Sequence, residues 1–399
     1  MTNIKLAIDT KKYLDNAVEY YSKKSIAHIK SCSLINGVGT MLLLKSSLTS
    51  IKPNIKNEIV HDVSILIKKI ENQDAHIATY CNGIAGIGWL LLYLEQKGII
   101  DIDSDNFFID IDMFLEKEMN HMFTENNFDI LHGYLGIGLY FLKKGENNQV
   151  EKIIEKLYDS SHCYKNEILW ESTDISSDKK KYYDFGLAHG NASILYFLTK
   201  SHQKGVQKKK CRYLINGLIK FFLNNLQSPS TMVSFFPNKV ITNSYKSPEQ
   251  QQHSRLGWCY GDLGILNTLY LCADHLKLNS LKEKITSLLL QTTERKNPYS
   301  TLLDNPFFCH GTAGSAYIYL SLYLKTQKKQ FLLSSEHLIK ATLDFLQNKK
   351  TTTQVDFFRE KMPTTDFLNG LPGVMLVLDS YLCTQNQTQV DWDEMSFIS

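Results

Sequence analysis

The segment "RLGWCYGDLGILNTLYL" (residues 255–271) contains the pattern that decides the fold. A Gly-x-x-Gly pair, Gly261 and Gly264, is followed at once by a run of apolar residues. The same arrangement, or a close variant of it, occurs in seven segments: "INGVGTMLLL", "CNGIAGIGWLLLYL", "LHGYLGIGLYFL", "AHGNASILYFL", "CYGDLGILNTLYL", "CHGTAGSAYIYL" and "LNGLPGVMLVL". A pattern that returns at a roughly constant interval is typical of repeat proteins.

Each repeat has room for two helices of ordinary length. The first glycines lie 46 to 71 residues apart, at Gly37, Gly83, Gly133, Gly190, Gly261, Gly311 and Gly370. The helix after the glycines is apolar on nearly all sides and should be buried. Its partner is amphipathic, as in "KNEIVHDVSILIKKIEN" (residues 56–72). We therefore expect an all-α protein, a single α/α toroid over residues 1–399 with inner and outer rings of seven helical hairpins. An open solenoid has the same local pattern.

Two of the intervals between repeats are long, from Gly133 to Gly190 and from Gly190 to Gly261, and they predict additions to the ring at residues 140–183 and 228–254. The second contains "TMVSFFPNKVITNSYKSPEQQQHS", whose β-branched and aromatic residues surround Pro237 and Asn238. This composition predicts a hairpin or a small extension. We expect it at the rim of the ring, near the entrance for the substrate.

Composition excludes some classes of protein. The 44 basic and 41 acidic residues give a net charge of +3, which does not favour nucleic acid as a partner. The apolar runs are too short to span a membrane, and the first residues do not resemble a signal peptide. Eight cysteines without a Cys-x-x-Cys pair indicate free thiols in a reducing compartment. We expect a cytoplasmic protein.

A metal site is predicted where two repeats place a thiol in the same phase. Cys259 and Cys309 both lie two residues before a first glycine, and His310 follows Cys309. Consecutive repeats should have neighbouring helix starts, so these three side chains can converge. Two thiolates and an imidazole suit Zn²⁺ and leave a fourth position open, as in catalytic sites. Against this, a cysteine before an apolar helix is often a small buried residue, and Cys-His is not a usual zinc spacing. Cys81 has the same phase in a distant repeat, and we interpret it as structural.

The residue before the first glycine also follows a pattern. It is Asn36, Asn82, His132, His189, Tyr260, His310 or Asn369. Asparagine is a common N-cap, so the simplest role for this position is to cap the buried helix. We interpret His132 as such a cap or as a residue that supports a neighbouring site.

The segments "RLGWCYGDLG", "CHGTAG" and "GLAHG", with the seven glycine repeats, resemble the lanthionine synthetase C family over essentially the whole chain. The resemblance implies an α/α toroid with one catalytic zinc ion per chain. It also implies an enzyme that joins a cysteine thiol of a precursor peptide to a dehydroalanine or dehydrobutyrine of the same peptide. The products are lanthionine and methyllanthionine rings. The chain resembles the stand-alone cyclases, which work with a separate dehydratase and an exporter, and this implies a cytoplasmic enzyme that can meet the membrane through that complex.

The resemblance also assigns roles to residues. Cys259, Cys309 and His310 match the family's zinc ligands, and His189 matches its active-site histidine. Three further residues match its motifs: Asp129, Arg255 and Tyr260. Asp129 and Arg255 form an ion pair that is either purely structural or fixes the geometry of the site. Alternatively, Arg255 contacts the enolate that develops on the substrate during the reaction. Tyr260 either donates a hydrogen bond or only packs. The fourth repeat, "HGNAS", lacks the family's second glycine.

The chemistry needs an activated thiol and an acid. A cysteine is only slightly ionised at neutral pH, and zinc coordination removes its proton. Addition to the dehydro residue leaves an enolate whose α-carbon must be protonated, and His189 is the candidate for both acid and base. Two other functions are compatible with the motifs: addition or binding of glutathione, and a helical-repeat scaffold with a structural zinc ion.

Overall fold

The structure is a computed structural model. It describes residues 3–22, 26–47, 55–72, 76–102, 104–173, 180–228, 233–245, 253–347, 365–385 and 390–399. Parts of the two predicted additions, residues 174–179, 229–232 and 246–252, lie outside the described residues.

The described chain is mainly helical, which confirms the predicted class. Its helices are α1 (Ile4–Ser22), α2 (Val38–Ser47), α3 (Ile55–Glu71), α4 (Ile84–Gln96), α5 (Ser104–Phe107), α6 (Ile109–Thr124), α7 (Tyr134–Lys144), α8 (Asn147–Asp159), α9 (Asn191–Gln203), α10 (Lys208–Asn224), α11 (Asp262–His275), α12 (Asn279–Thr292), α13 (Pro298–Thr301), α14 (Thr312–Thr326), α15 (Lys329–Gln347) and α16 (Leu371–Gln385). Its strands are β1 (His162–Tyr164), β2 (Glu167–Leu169), β3 (Ser172–Thr173), β4 (Lys181–Asp184) and β5 (Lys239–Ile241).

The helices that follow the glycine motifs are buried, as predicted. Each begins one residue after the first glycine of its repeat, and they are α2, α4, α7, α9, α11, α14 and α16. In α4 every residue from Ile84 to Leu94 is buried, and in α7 every residue from Tyr134 to Leu142. Their apolar residues cover nearly all sides of each helix, so each can be buried on all sides by the elements around it.

Amphipathic helices pack against the buried ones. In α8 the buried residues are Val150, Ile153, Ile154 and Leu157, which form one stripe at helical spacing. Helix α8 packs against α7, α10 against α9, α12 against α11 and α15 against α14. Each large aliphatic side chain that becomes fully buried contributes roughly 1.5–3 kcal/mol to folding.

The loops before the buried helices share one backbone geometry. The N–H of the first helical residue donates to a carbonyl oxygen seven residues earlier, as from Tyr134 to Asn127 and from Thr312 to Asn305, both over 2.9 Å. The loop therefore folds back on its glycine, and a Cβ at Gly133 would overlap the backbone of Asn127. Glycine at this position thus lets the backbone of the loop approach closely.

The predicted capping role of the preceding asparagine is wrong for Asn82. Gly83 is itself the N-cap residue of α4, and no side chain caps this helix. The N–H of Ile84 bonds instead to the carbonyl oxygen of Ile77 over 2.7 Å. Because the loop supplies this acceptor, the residue before the glycine is available for other roles.

The chain divides into two compact units, residues 1–115 with 304–396, and residues 116–303 with 397–399. In the first unit α14 packs against α16, α16 against α2, and α2 against α4. Helix α1 also packs against α16. The N–H of Phe367 donates to the carbonyl oxygen of Ile35 over 2.7 Å. The last repeat therefore contacts the first within this unit.

In the second unit α9 packs between α7 and α11. Strand β2 lies on α10, where a Cβ at Gly217 would overlap the side chain of Ile168. Gly217 therefore lets the strand approach the helix closely.

Both long intervals contribute strands to the second unit. Strand β1 pairs with β2, and a second antiparallel sheet has the order β3-β4-β5. The hairpin expected around Pro237 does not form in the described residues, because β5 pairs with β4 from the other interval. Pro237 has no N–H to donate to a ladder, and the neighbouring Phe236 is buried against Phe185 and Phe222.

Within the described part of the chain, no helix combines the length and the apolar composition needed to cross a bilayer.

Candidate active site

The residues that the sequence singled out lie in the loops before four buried helices. They are Asp129 and His132 before α7, His189 before α9, Arg255, Cys259 and Tyr260 before α11, and Cys309 and His310 before α14. The repeated loop geometry therefore places each of them at the start of a buried helix.

The loop before α11 is a tight turn closed at its base. Leu256 and Gly261 form an antiparallel bridge, and the N–H of Asp262 donates to the carbonyl oxygen of Arg255 over 3.3 Å. Gly261 has a φ of +121°, and a Cβ there would overlap that oxygen. Only glycine fits this position, so Gly261 sets the direction of the turn that carries Cys259.

Asp129 and His189 form a hydrogen-bonded pair. Oδ2 of Asp129 lies 2.6 Å from Nδ1 of His189. Oδ1 accepts the backbone N–H groups of Leu131 and His132, each over 2.8 Å. The carboxylate is therefore held by its own loop and directs the imidazole of the next repeat, which leaves Nε2 of His189 for a substrate.

The pKa values of this pair move apart. Burial raises the pKa of Asp129, but the hydrogen bond and charge of His189 outweigh it, and the net pKa is lowered. Burial lowers the pKa of His189, but the hydrogen bond and charge of Asp129 outweigh it, and the net pKa is raised. The stabilisation by protonated His189 is complete below its unfolded-state pKa and is lost as pH rises through its native pKa. The stabilisation by ionised Asp129 is present above the pKa that this carboxyl has in the unfolded chain. It is lost as the pH falls through the lower pKa of the native state.

Replacing Asp129 with asparagine should lower the pKa of His189, because the negative charge that favours the imidazolium is removed. An NMR titration of the imidazole resonances would measure this change. Asp274→Asn is the matched control in the same unit, because Asp274 pairs with the exposed Lys282. An equal pKa of His189 in wild type and Asp129→Asn would contradict the assigned pair.

Two further rings contact the imidazole of His189. The ring of His132 lies parallel to it, with centroids 6.0 Å apart and planes at 10°. The ring of Tyr260 lies 5.9 Å from it at 38°. His132 therefore lies beside His189 and does not cap α7, whose N-cap residue is Gly133.

Asp184 belongs to this site, and the sequence analysis did not identify it. It is buried, and its Oδ1 accepts the N–H of Gly186 over 2.7 Å. Burial raises its pKa to about 6, although Gly186, His189 and a side-chain hydrogen bond from Tyr260 favour the carboxylate. The backbone N–H of Leu187 donates to the carbonyl oxygen of Cys259 over 2.9 Å. Asp184 and this bond together join the loop of His189 to the loop of Tyr260.

A buried ion pair supports the start of α11. Nη1 of Arg295 lies 2.7 Å from Oδ2 of Asp262, and both side chains are almost fully buried. Asp262 also accepts the N–H groups of Phe235 and Phe236, and Nη2 of Arg295 donates to the carbonyl oxygen of Ser254 over 2.8 Å. The pair thus connects α11 to two segments that precede the turn in the chain. No sequence motif predicted it.

The structure does not bring Arg255 to Asp129. Among the described residues, no ion pair joins the two, and the carboxylate of Asp129 bonds instead to His189 and to backbone N–H groups. The stem of Arg255 lies beside Gly257. Of the two alternatives for this arginine, the structural ion pair with Asp129 is therefore not formed.

Three residues could hold a metal ion. Cys259, Cys309 and His310 each offer one ligand atom, and these atoms lie within 4.8 Å of one another. Two thiols and an imidazole are a donor set that zinc prefers, and three protein ligands leave a position for a substrate. In the part of the chain that the structure describes, Cys81 belongs to no such group, and its Sγ lies 3.5 Å from Oδ1 of Asn82.

Comparisons with known proteins agree on one family. Residues 28–396 match the family described as lanthionine synthetase C-like protein. The chain is 22% identical over 389 residues to the nisin biosynthesis protein NisC of Lactococcus lactis subsp. lactis, with 89% of this chain and 87% of that protein covered. The solved structure of nisin cyclase has a TM-score of 0.75 and 18% identity, and the match covers 99% of this chain and 98% of that one.

These matches confirm two expectations. The resemblance seen in the sequence motifs is confirmed by the family match over most of the chain. The predicted all-α fold, an α/α toroid with a few small strands, is confirmed by the structural likeness.

Proposed function

Because the chain belongs to the lanthionine synthetase C-like family, we propose that it is a zinc-dependent lanthionine cyclase. It adds cysteine thiols of a precursor peptide to dehydroalanine or dehydrobutyrine residues of the same peptide, and so forms lanthionine and methyllanthionine rings. The observation that carries the proposal is the proximity of the ligand atoms of Cys259, Cys309 and His310. The names of the relatives, which concern nisin, support a lantibiotic precursor as the class of substrate.

The three ligands fit one zinc ion per chain. Cys259 and Cys309 would bind as thiolates, because both lie just before the positive end of a buried helix. His310 would bind as a neutral imidazole. Zinc held here supplies a Lewis acid that binds the sulfur of the peptide's cysteine and lowers its pKa.

His189 is placed to move protons. With Nδ1 bonded to Asp129, the imidazole can hold or release a proton only at Nε2. Because Asp129 raises its pKa, a larger fraction of His189 is protonated near neutral pH than for a free histidine. It therefore serves as the acid that protonates the α-carbon after the carbon–sulfur bond forms.

Arg255 and Tyr260 have different roles. Since Arg255 forms no ion pair with Asp129, its guanidinium can contact the carbonyl on which negative charge develops. The ring of Tyr260 lies beside that of His189, with centroids 5.9 Å apart, so it positions this histidine.

The partners and the location are those that membership of the family implies. The substrate must be dehydrated before it arrives, so a separate dehydratase acts first, and an exporter works in the same complex. The enzyme works in the cytoplasm and meets the membrane only through that complex.

The test uses purified protein and a dehydrated precursor peptide that keeps its leader. We expect about one zinc ion per chain and loss of peptide thiols at unchanged peptide mass. With glutathione present, a peptide that gains the mass of one glutathione per dehydro residue would instead show an enzyme for external thiols. Zinc without any loss of thiols would leave only a scaffold role.

A further inference from the structure

His132 is not used by the function proposed above, yet it lies against the catalytic histidine. Its side chain is exposed, and its ring is parallel to that of His189 at 6.0 Å. One carboxylate serves both residues, because Asp129 bonds to the backbone N–H of His132 through Oδ1 and to the ring of His189 through Oδ2.

The loop does not need a histidine at this position. Equivalent loops have an asparagine there, at Asn36, Asn82 and Asn369. The backbone of the loop is held by other groups, since Asp129 accepts two of its N–H groups and the carbonyl oxygen of Asn127 accepts that of Tyr134. An imidazole at this position, in the repeat next to His189, therefore calls for a chemical explanation.

We propose that His132 is a second catalytic histidine, the base that takes the proton of the substrate thiol, while His189 is the acid that protonates the α-carbon. This inference rests on the proposed cyclase function. Cyclisation needs one proton transfer at the sulfur and one at the α-carbon, and two parallel rings 6.0 Å apart can serve them separately.

The surroundings of the two rings support this division. Burial and the charge of His189 lower the pKa of His132 against the opposing effect of Asp129. The pKa of His189 is raised in spite of burial, because the hydrogen bond and charge of Asp129 and the charge of Asp184 favour its charged form. The pKa of His132 is thus lowered and that of His189 is raised, as a base and an acid require.

The protons and electrons balance over one cycle. Neutral His132 accepts the thiol proton, the sulfur forms a bond to the β-carbon, and the π electrons of the dehydro residue move towards the carbonyl. His189 then gives its proton from Nε2 to the α-carbon. The exposed His132 releases its proton to solvent and His189 gains one, so no net proton is consumed and only the thioether remains.

The experiment measures kcat for His132→Asn, His132→Phe and wild type between pH 6 and 9, with saturating dehydrated precursor peptide. His132→Asn introduces asparagine, the residue that three equivalent loops have at this position. His132→Phe keeps an aromatic ring beside His189. We expect both variants to lose about 100-fold or more in kcat near pH 7. They should recover as the pH approaches about 8.5, the pKa of a free cysteine thiol, because the peptide then arrives with its thiol already ionised. His189→Asn should show no such recovery.

His121→Asn is the control, because His121 is exposed on α6 and pairs only with Glu125 among the described residues. If both His132 variants had the kcat and the pH profile of wild type, the inference would be overturned. Full activity in His132→Phe alone would also overturn it, because the ring would then only pack against His189. No ring formation by wild type at any pH would instead refute the proposed function.

Discussion

Replacing Cys309 with alanine should give a folded protein that contains no zinc and forms no rings. The backbone N–H of Cys309 donates to the carbonyl oxygen of Leu368 over 2.9 Å, and this bond does not need the thiol. The loop should therefore keep its shape while the metal loses one of three ligands. Changes around metal ligands cost about 10–100-fold in affinity or activity, and loss of a ligand should exceed this. Metal analysis and thiol titration of a dehydrated precursor would measure both effects.

The chain contains a matched control for this change. Cys81 occupies the equivalent position in another repeat, two residues before Gly83, and within the described residues it belongs to no group of three that could hold a metal ion. Cys81→Ala should keep its zinc and its activity. If Cys309→Ala also kept both, the proposed ligand set would be refuted.

Replacing Arg295 with methionine should destabilise the second unit by about 3–5 kcal/mol, because Asp262 would remain as an unpaired buried charge. Three bonds made by the guanidinium would also be lost, to Asp262, to Ser254 and to Ser300. Urea unfolding followed by tryptophan fluorescence would measure the loss. Because these bonds hold the segments next to the turn of Cys259, zinc affinity should fall as well.

A double-mutant cycle distinguishes the ion pair from simple packing. Asp262→Asn with Arg295→Met should cost less than the sum of the single changes, because neither partner then leaves a buried charge. The control is the exposed pair of Lys282 and Asp274, where Lys282→Met should cost no more than about 1 kcal/mol. Equal costs for the buried and the exposed pair would contradict the role given to Arg295.

The periodic part of the structure could be predicted from the sequence. The seven glycine motifs located the buried helices, because an apolar run after a loop glycine has few other ways to fold. The shared phase of Cys259 and Cys309 predicted that they would meet, because equivalent positions of consecutive repeats are neighbours. The family resemblance added His189 and Asp129, which no spacing would have joined.

The non-periodic contacts could not be predicted. Asp184 and Arg295 bond to groups that are distant in sequence and that follow no repeat, so no local pattern marks them. The capping role expected for Asn82 was wrong because a carbonyl oxygen of the loop already bonds to the first helical N–H. Pairing of β5 with β4 depends on two separate intervals and has no local signal.

The packing of α1 against α16 delays completion of the first unit during synthesis. Helix α1 leaves the ribosome early, but α16 consists of residues 371–385. At about 5–20 residues per second, the apolar face of α1 waits roughly 20–70 s for its partner. The second unit, formed mainly by the contiguous residues 116–303, can fold in the meantime. Nascent chains that are stalled before α16 should therefore expose α1 and depend on chaperones, although half of the protein is already compact.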